Sequence, residues 1–150
     1  MKESYICSSE KELIEFAAAI GCKLCGKEVF ALVGDLGLGK TTFVKGLAKG
    51  LGSPAHVTSP TFNLVHRYLG GRLPLFHYDL YRLKKLEEIE ALDLEAELEG
   101  HGVIAIEWPQ LVQKILPPER TYWVHFEEIN PSSRQLAIQS LSNQPNLFSK

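Results

Sequence analysis

The chain has 150 residues, 45% of them hydrophobic and 23% charged, with a formal net charge of −2. That length gives one domain with a sizeable core, and the composition excludes a disordered, collagenous or low-complexity chain and any run of the roughly 20 apolar residues that spans a bilayer. Sixteen lysines and arginines against 18 acids leave no basic surplus for gripping RNA or DNA phosphates, so no DNA contact is expected and any RNA contact should run through a partner.

The N-terminal stretch MKESYICSSEKEL lacks the apolar segment of a secretory signal. Three cysteines, Cys7, Cys22 and Cys25, make an odd count, so a reducing, cytoplasmic compartment is expected. Ser9-x-x-Glu12 is a capping box, and Leu13, Phe16, Ala17 and Ile20 follow at helical spacing up to Gly21. Cys22-Lys23-Leu24-Cys25 follows a helix rather than opening one, and no second ligand pair accompanies it. It reads as two small apolar residues at a helix end rather than a redox or zinc motif.

Val29–Val33 is a short apolar run, read as a buried strand. After the segment Gly34–Thr42, a helix carries Phe43, Val44, Leu47, Ala48 and Leu51 and closes at Gly52. Residues 61–68 and 72–78 read as two strands joined at Gly70-Gly71, with Pro74 restricting the second to a sheet edge or an irregular start. Residues 84–99 read as two helical pieces carrying seven of the 18 acids, a solvated face. Val103–Ile106 is a second apolar strand, ended by Glu107-Trp108-Pro109, with a short helix over 110–116. Residues 121–129 and 134–141 alternate around the turn Asn130–Ser133, and residues 142–150 read as a loose tail of a single domain spanning 1–150.

The chemistry is concentrated in Gly34-Asp35-Leu36-Gly37-Leu38-Gly39-Lys40-Thr41-Thr42. Gly34-x-x-x-x-Gly39-Lys40-Thr41 matches the Walker A pattern, in the strand–loop–helix context that the pattern requires. Glycines let successive N–H groups turn inward on phosphates, and the helix start adds its positive dipole end. Lys40 then serves as a point charge for the outer phosphates, Thr41 as a hydroxyl ligand for Mg²⁺, and Thr42 as a contact for the inner phosphate. The absence of an N-K-x-D motif favours ATP over GTP.

A carboxylate at a neighbouring strand end is needed for Mg²⁺. Glu107 closes the cleaner apolar run and is placed first, as metal-side acid. Asp79 closes Leu75–Tyr78 and is read as second ligand or positioner of water, the alternative being a helix N-cap before Leu80-Tyr81-Arg82. Ser59 and Thr61, in Thr58-Ser59-Pro60-Thr61, could sense the terminal phosphate as a switch or simply form a turn. Trp108, beside Glu107, is expected to report on the site, and the five histidines show no ligand spacing.

GDLGLGKTT, TSPTFNLVHRY, FHYDLYRL and IEWPQ, in this order and spacing, resemble the TsaE (YjeE) family of small bacterial P-loop ATPases, from about Val29 to Leu116. The resemblance implies a part in forming N6-threonylcarbamoyladenosine at position 37 of tRNAs that read codons beginning with adenine. It also implies action with TsaD and TsaB, which hold most of the tRNA. By position, Lys40, Thr41, Thr42, Ser59, Thr61, Asp79, Glu107 and Trp108 match the family's functional residues, while Leu38 replaces a usually small loop residue and should alter packing over the loop. The expected fold is an α/β P-loop NTPase: a central, mainly parallel sheet with antiparallel hairpin additions and helices on both faces. Two other readings stand beside ATP hydrolysis. A small-molecule or nucleotide kinase needs an arginine-rich lid, whereas Arg67, Arg72 and Arg82 are scattered; a non-catalytic nucleotide-dependent binding module needs no turnover.

Overall fold

A computed structural model describes residues 2–60, 63–141 and 143–149. Seven strands form one sheet: β1 (Lys2–Cys7), β2 (Val29–Val33), β3 (Val65–Tyr68), β4 (Leu75–Asp79), β5 (Val103–Glu107), β6 (Thr121–Asn130) and β7 (Ser133–Gln139). The order across the sheet is β1-β7-β6-β2-β5-β4-β3. The centre, β6-β2-β5-β4, is parallel, and β1, β7 and β3 are antiparallel to their neighbours. The expected α/β architecture is the one observed, with one refinement. Each hairpin contributes one strand to the parallel centre and only its other strand is an antiparallel addition.

The sequence dictates both faces of the centre. β2, β4 and β5 carry five residues each and are buried on both sides, which is why they read as apolar runs rather than alternations. Phe30, Leu32, Leu75, Val103 and Ala105 belong to one core cluster together with residues of α1 (Glu10–Gly21) and α2 (Lys40–Gly50). Val29, Ala31, Phe76, Tyr78, Ile104 and Ile106 pack the other cluster, with Ile89 of α3 (Glu87–Glu90) and Leu94 and Leu98 of α4 (Leu94–Glu99). Each large apolar side chain so buried contributes about 1.5–3 kcal/mol of transfer free energy.

α1 starts as the capping box directs: the Glu12 N–H donates to Ser9 Oγ at 3.1 Å, while Glu12 Oε2 accepts from Ser8 N–H rather than from the cap residue itself. α1 and α2 approach closely because Gly46 has no side chain; a Cβ there would lie 2.4 Å from Ala17 Cβ.

The polar N-terminus, for which the sequence suggested no element, forms β1, an edge strand whose backbone bonds to β7 and which therefore needs little apolar content; its Ile6 is 63% exposed. Two expectations need correction. The helix placed at 110–116 is a single 3-10 turn, Pro109–Val112. The tail is not loose over its described part, 143–149: Leu147 and Phe148 are buried, and Phe148 packs on Tyr5, Phe16 and Tyr122. Pro74 leaves β4 an interior strand that begins one residue later, at Leu75; the Pro74 carbonyl still accepts from Val103 N–H. Among the described residues no helix is long and apolar enough to cross a membrane.

Candidate active site

The loop between β2 and α2 is shaped by its glycines. Gly39 caps α2 with φ +106°, a conformation that L-residues avoid, and a Cβ there would meet Leu13 Cδ2 at 2.7 Å. α2 starts at Lys40, so its free N–H groups and positive dipole end face the loop. Leu38 is half-buried against the core cluster of α1 and α2.

Lys40 is 3% exposed. Its Nζ donates to the Gly34 carbonyl at 2.5 Å and sits 3.6 Å from the centroid of the Trp108 ring, a cation–π contact of about 0.5–2 kcal/mol. Burial pushes the Lys40 ammonium below its usual pKa of 10.5, and the carboxylates of Glu107, Asp79 and Asp35 oppose that shift. The side chain is thus a desolvated cation held by weak partners, suited to exchange them for phosphate oxygens.

The two acids are neighbours because the sheet register makes them so: Asp79 pairs with Glu107 at the ends of the parallel strands β4 and β5. Both are 4% exposed. Glu107 Oε2 accepts from the Thr41 hydroxyl at 2.9 Å and lies 2.6 Å from His77 Nε2. Asp79 Oδ2 accepts from the Ser59 hydroxyl at 3.3 Å, and its Oδ1 from Tyr81 N–H at 3.0 Å. The alternative role for Asp79 takes a local form. It caps the turn at Tyr81-Arg82 rather than a helix, and its carboxylate still faces the site.

Trp108 follows Glu107 with φ +58°, a left-handed conformation that costs a large side chain about 1–3 kcal/mol and turns the chain out of the sheet. Its ring centroid lies 4.8 Å from that of Tyr81.

These groups converge on a cleft of about 530 Å³. It is lined by Thr41, Thr42, Ser59, Asp79, Glu107 and Trp108, together with residues of the α1 start and the β6–β7 hairpin, among them Glu10, Ser132 and Arg134. Leu36, Gly37, Leu38, Gly39 and Lys40 of the loop line it as well. Gly34 and Asp35 lie instead beside a separate depression with Glu127 and Glu128, although the Gly34 carbonyl reaches Lys40. Thr61 lies outside the described residues.

Among the described residues no group of three or more His, Cys, Asp or Glu side chains could hold a metal ion by itself. Two nearly buried carboxylates and one hydroxyl are instead the partial donor set that fits Mg²⁺ arriving with phosphate oxygens and water.

Two lining or supporting residues escaped the sequence reading. His77 is fully buried and bonded to Glu107; its signal was available, since residues 75, 77 and 79 of one strand share a face. Arg134 lines the cleft and donates to the Gly37 carbonyl at 3.4 Å, a contact between residues 97 positions apart that no local pattern announces.

Residues 7–136 match the family described as threonylcarbamoyl adenosine biosynthesis protein TsaE. The tRNA threonylcarbamoyladenosine biosynthesis protein TsaE of Bacillus subtilis is 41% identical over 117 residues, covering 78% of this chain and 72% of that one. Its namesake in Borreliella burgdorferi is 42% identical, covering 79% and 87%, and that of Rickettsia felis is 35% identical, covering 95% and 83%. A crystal structure of Bacillus subtilis YdiB superposes with a TM-score of 0.78 at 31% identity, covering 95% of this chain and 88% of that one. With a family match over most of its length and relatives this similar, the chain belongs to the TsaE family.

Proposed function

We propose that this protein binds ATP with Mg²⁺ in the cleft at the head of α2, hydrolyses it slowly, and passes the resulting change to a protein complex that makes N6-threonylcarbamoyladenosine in tRNA. The observation that carries the ATPase reading is the convergence of Lys40, Thr41, Asp79 and Glu107 at the end of a parallel sheet, where the register places both acids beside the helix start. The names of the relatives support the pathway, and the family resemblance supplies TsaD and TsaB as partners that hold most of the tRNA.

Each residue then has a physical task. The glycine loop and the N-terminus of α2 direct backbone N–H groups at the phosphates. Lys40 leaves the Gly34 carbonyl and the Trp108 ring to neutralise charge on the transferring phosphoryl group. The Thr41 hydroxyl and Glu107 hold the metal side of the cleft, where Mg²⁺ supplies charge neutralisation at the outer phosphates. Asp79 orients the attacking water, and Ser59, bonded to Asp79, ties the preceding segment to the state of that carboxylate.

The test is phosphate release by the purified protein alone and with TsaD and TsaB. Slow release alone and faster release with the partners is expected. Rapid release unaffected by them contradicts the coupling, and phosphate appearing on a small acceptor instead of in water makes the protein a kinase.

A further inference from the structure

We infer that His77 is a positioning residue for the metal-side carboxylate, fixing which oxygen of Glu107 is presented to Mg²⁺; the inference rests on the reading of Glu107 as metal-side acid. His77 is fully buried on β4, on the sheet face that it shares with Asp79. It lies opposite Ala105, whose small side chain leaves room for the imidazole, while Asp79 lies opposite Glu107. From there Nε2 reaches diagonally to Glu107 Oε2 at 2.6 Å.

The only other hydrogen bond to this carboxylate among the described residues, from the Thr41 hydroxyl at 2.9 Å, ends on the same Oε2. Two donors on one oxygen fix the carboxylate plane and leave Oε1 for the cleft that Glu107 lines. Meanwhile His77 Nδ1 is buried without a hydrogen-bond partner among the described residues. An imidazole with one ring nitrogen orphaned is a poor choice for filling space, since an apolar side chain such as Leu75, two residues earlier on the same face, needs no partner. Its one hydrogen bond among the described residues is to Glu107, so holding that carboxylate is the role that accounts for a histidine here.

The test measures ADP affinity by calorimetry, with Mg²⁺ and with the metal chelated, in the wild type, His77→Leu, His77→Gln, His77→Asn and Glu107→Ala. His77→Leu keeps the packing and removes the donor. Gln can place its amide nitrogen near the Nε2 position, and Asn is too short. His77→Leu and His77→Asn are expected to weaken Mg²⁺-dependent binding about 10-fold or more while leaving metal-free ADP affinity unchanged, with His77→Gln close to the wild type. Should His77→Leu fail to fold, the Gln–Asn pair decides. Equal metal dependence in Gln and Asn, or an unchanged dependence in a folded His77→Leu, overturns the inference. If Glu107→Ala loses the metal dependence in that same result, the reading of Glu107 survives and only the role of His77 is lost. If Glu107→Ala keeps it, both fall.

Discussion

Lys40 and Trp108 make a pair whose state should depend on nucleotide. The ammonium rests 3.6 Å from the indole centroid, so moving it to a phosphate changes the field on the ring. Trp123, the other tryptophan, lies on β6 beside the second core cluster. ATP is therefore expected to change the emission of the wild type and of Trp108→Phe's counterpart Trp123→Phe, but not that of Trp108→Phe; a signal kept in Trp108→Phe and lost in Trp123→Phe places the reporter in the wrong strand.

Lys40 also has a stability signature. Its pKa in the folded protein lies below 10.5, so the unfolded chain holds this proton more tightly and protonation favours unfolding. Without nucleotide, the urea stability of the wild type minus that of Lys40→Met should rise as pH climbs through the folded pKa toward 10.5; a difference that falls contradicts the burial of the charge. Lys40 and Thr41 were legible because a phosphate loop is a local motif. The face of His77 could be read from the strand, but its bond to Glu107 could not, because sheet register fixes it; Arg134 gave no local sign, because its partner lies on a distant loop.

At the scale of elements, the strands buried on both faces and the helices with an apolar stripe were readable from periodicity. The two chain ends were not. β1 alternates weakly because it is an edge strand, and residues 143–149 show no period at all, yet Phe148 closes an aromatic group with Tyr5, Phe16 and Tyr122. Phe148→Ala should cost about 3 kcal/mol in urea unfolding, the usual loss for a buried phenylalanine. A change within error would return the tail to the loose state expected from its sequence. The same packing separates the cysteines. Burial raises the Cys7 thiol to about 11, while Cys22 and Cys25 are exposed. Two thiols should react with a disulfide reagent in the folded protein at neutral pH and the third only on unfolding; three fast thiols would mean that β1 is not docked.

For the whole molecule, the arrangement that matters is the order β6-β2-β5-β4, which sets Glu107 on the strand beside the one that feeds the loop and Asp79 one strand further out. Sequence spacing suggested the acids, but only the register brings them side by side at the head of α2. Among the described residues, the surrounding cleft is the one place where a buried cation, two buried acids and a free helix N-terminus meet. Binding of ATP with Mg²⁺ in this cleft is tested by calorimetric titration of ATP with Mg²⁺ into the wild type and Lys40→Ala. Loss of the charged contact should weaken binding by about 10- to 100-fold with no loss of thermal stability. Equal affinity in the two proteins would mean that the nucleotide does not bind at Lys40.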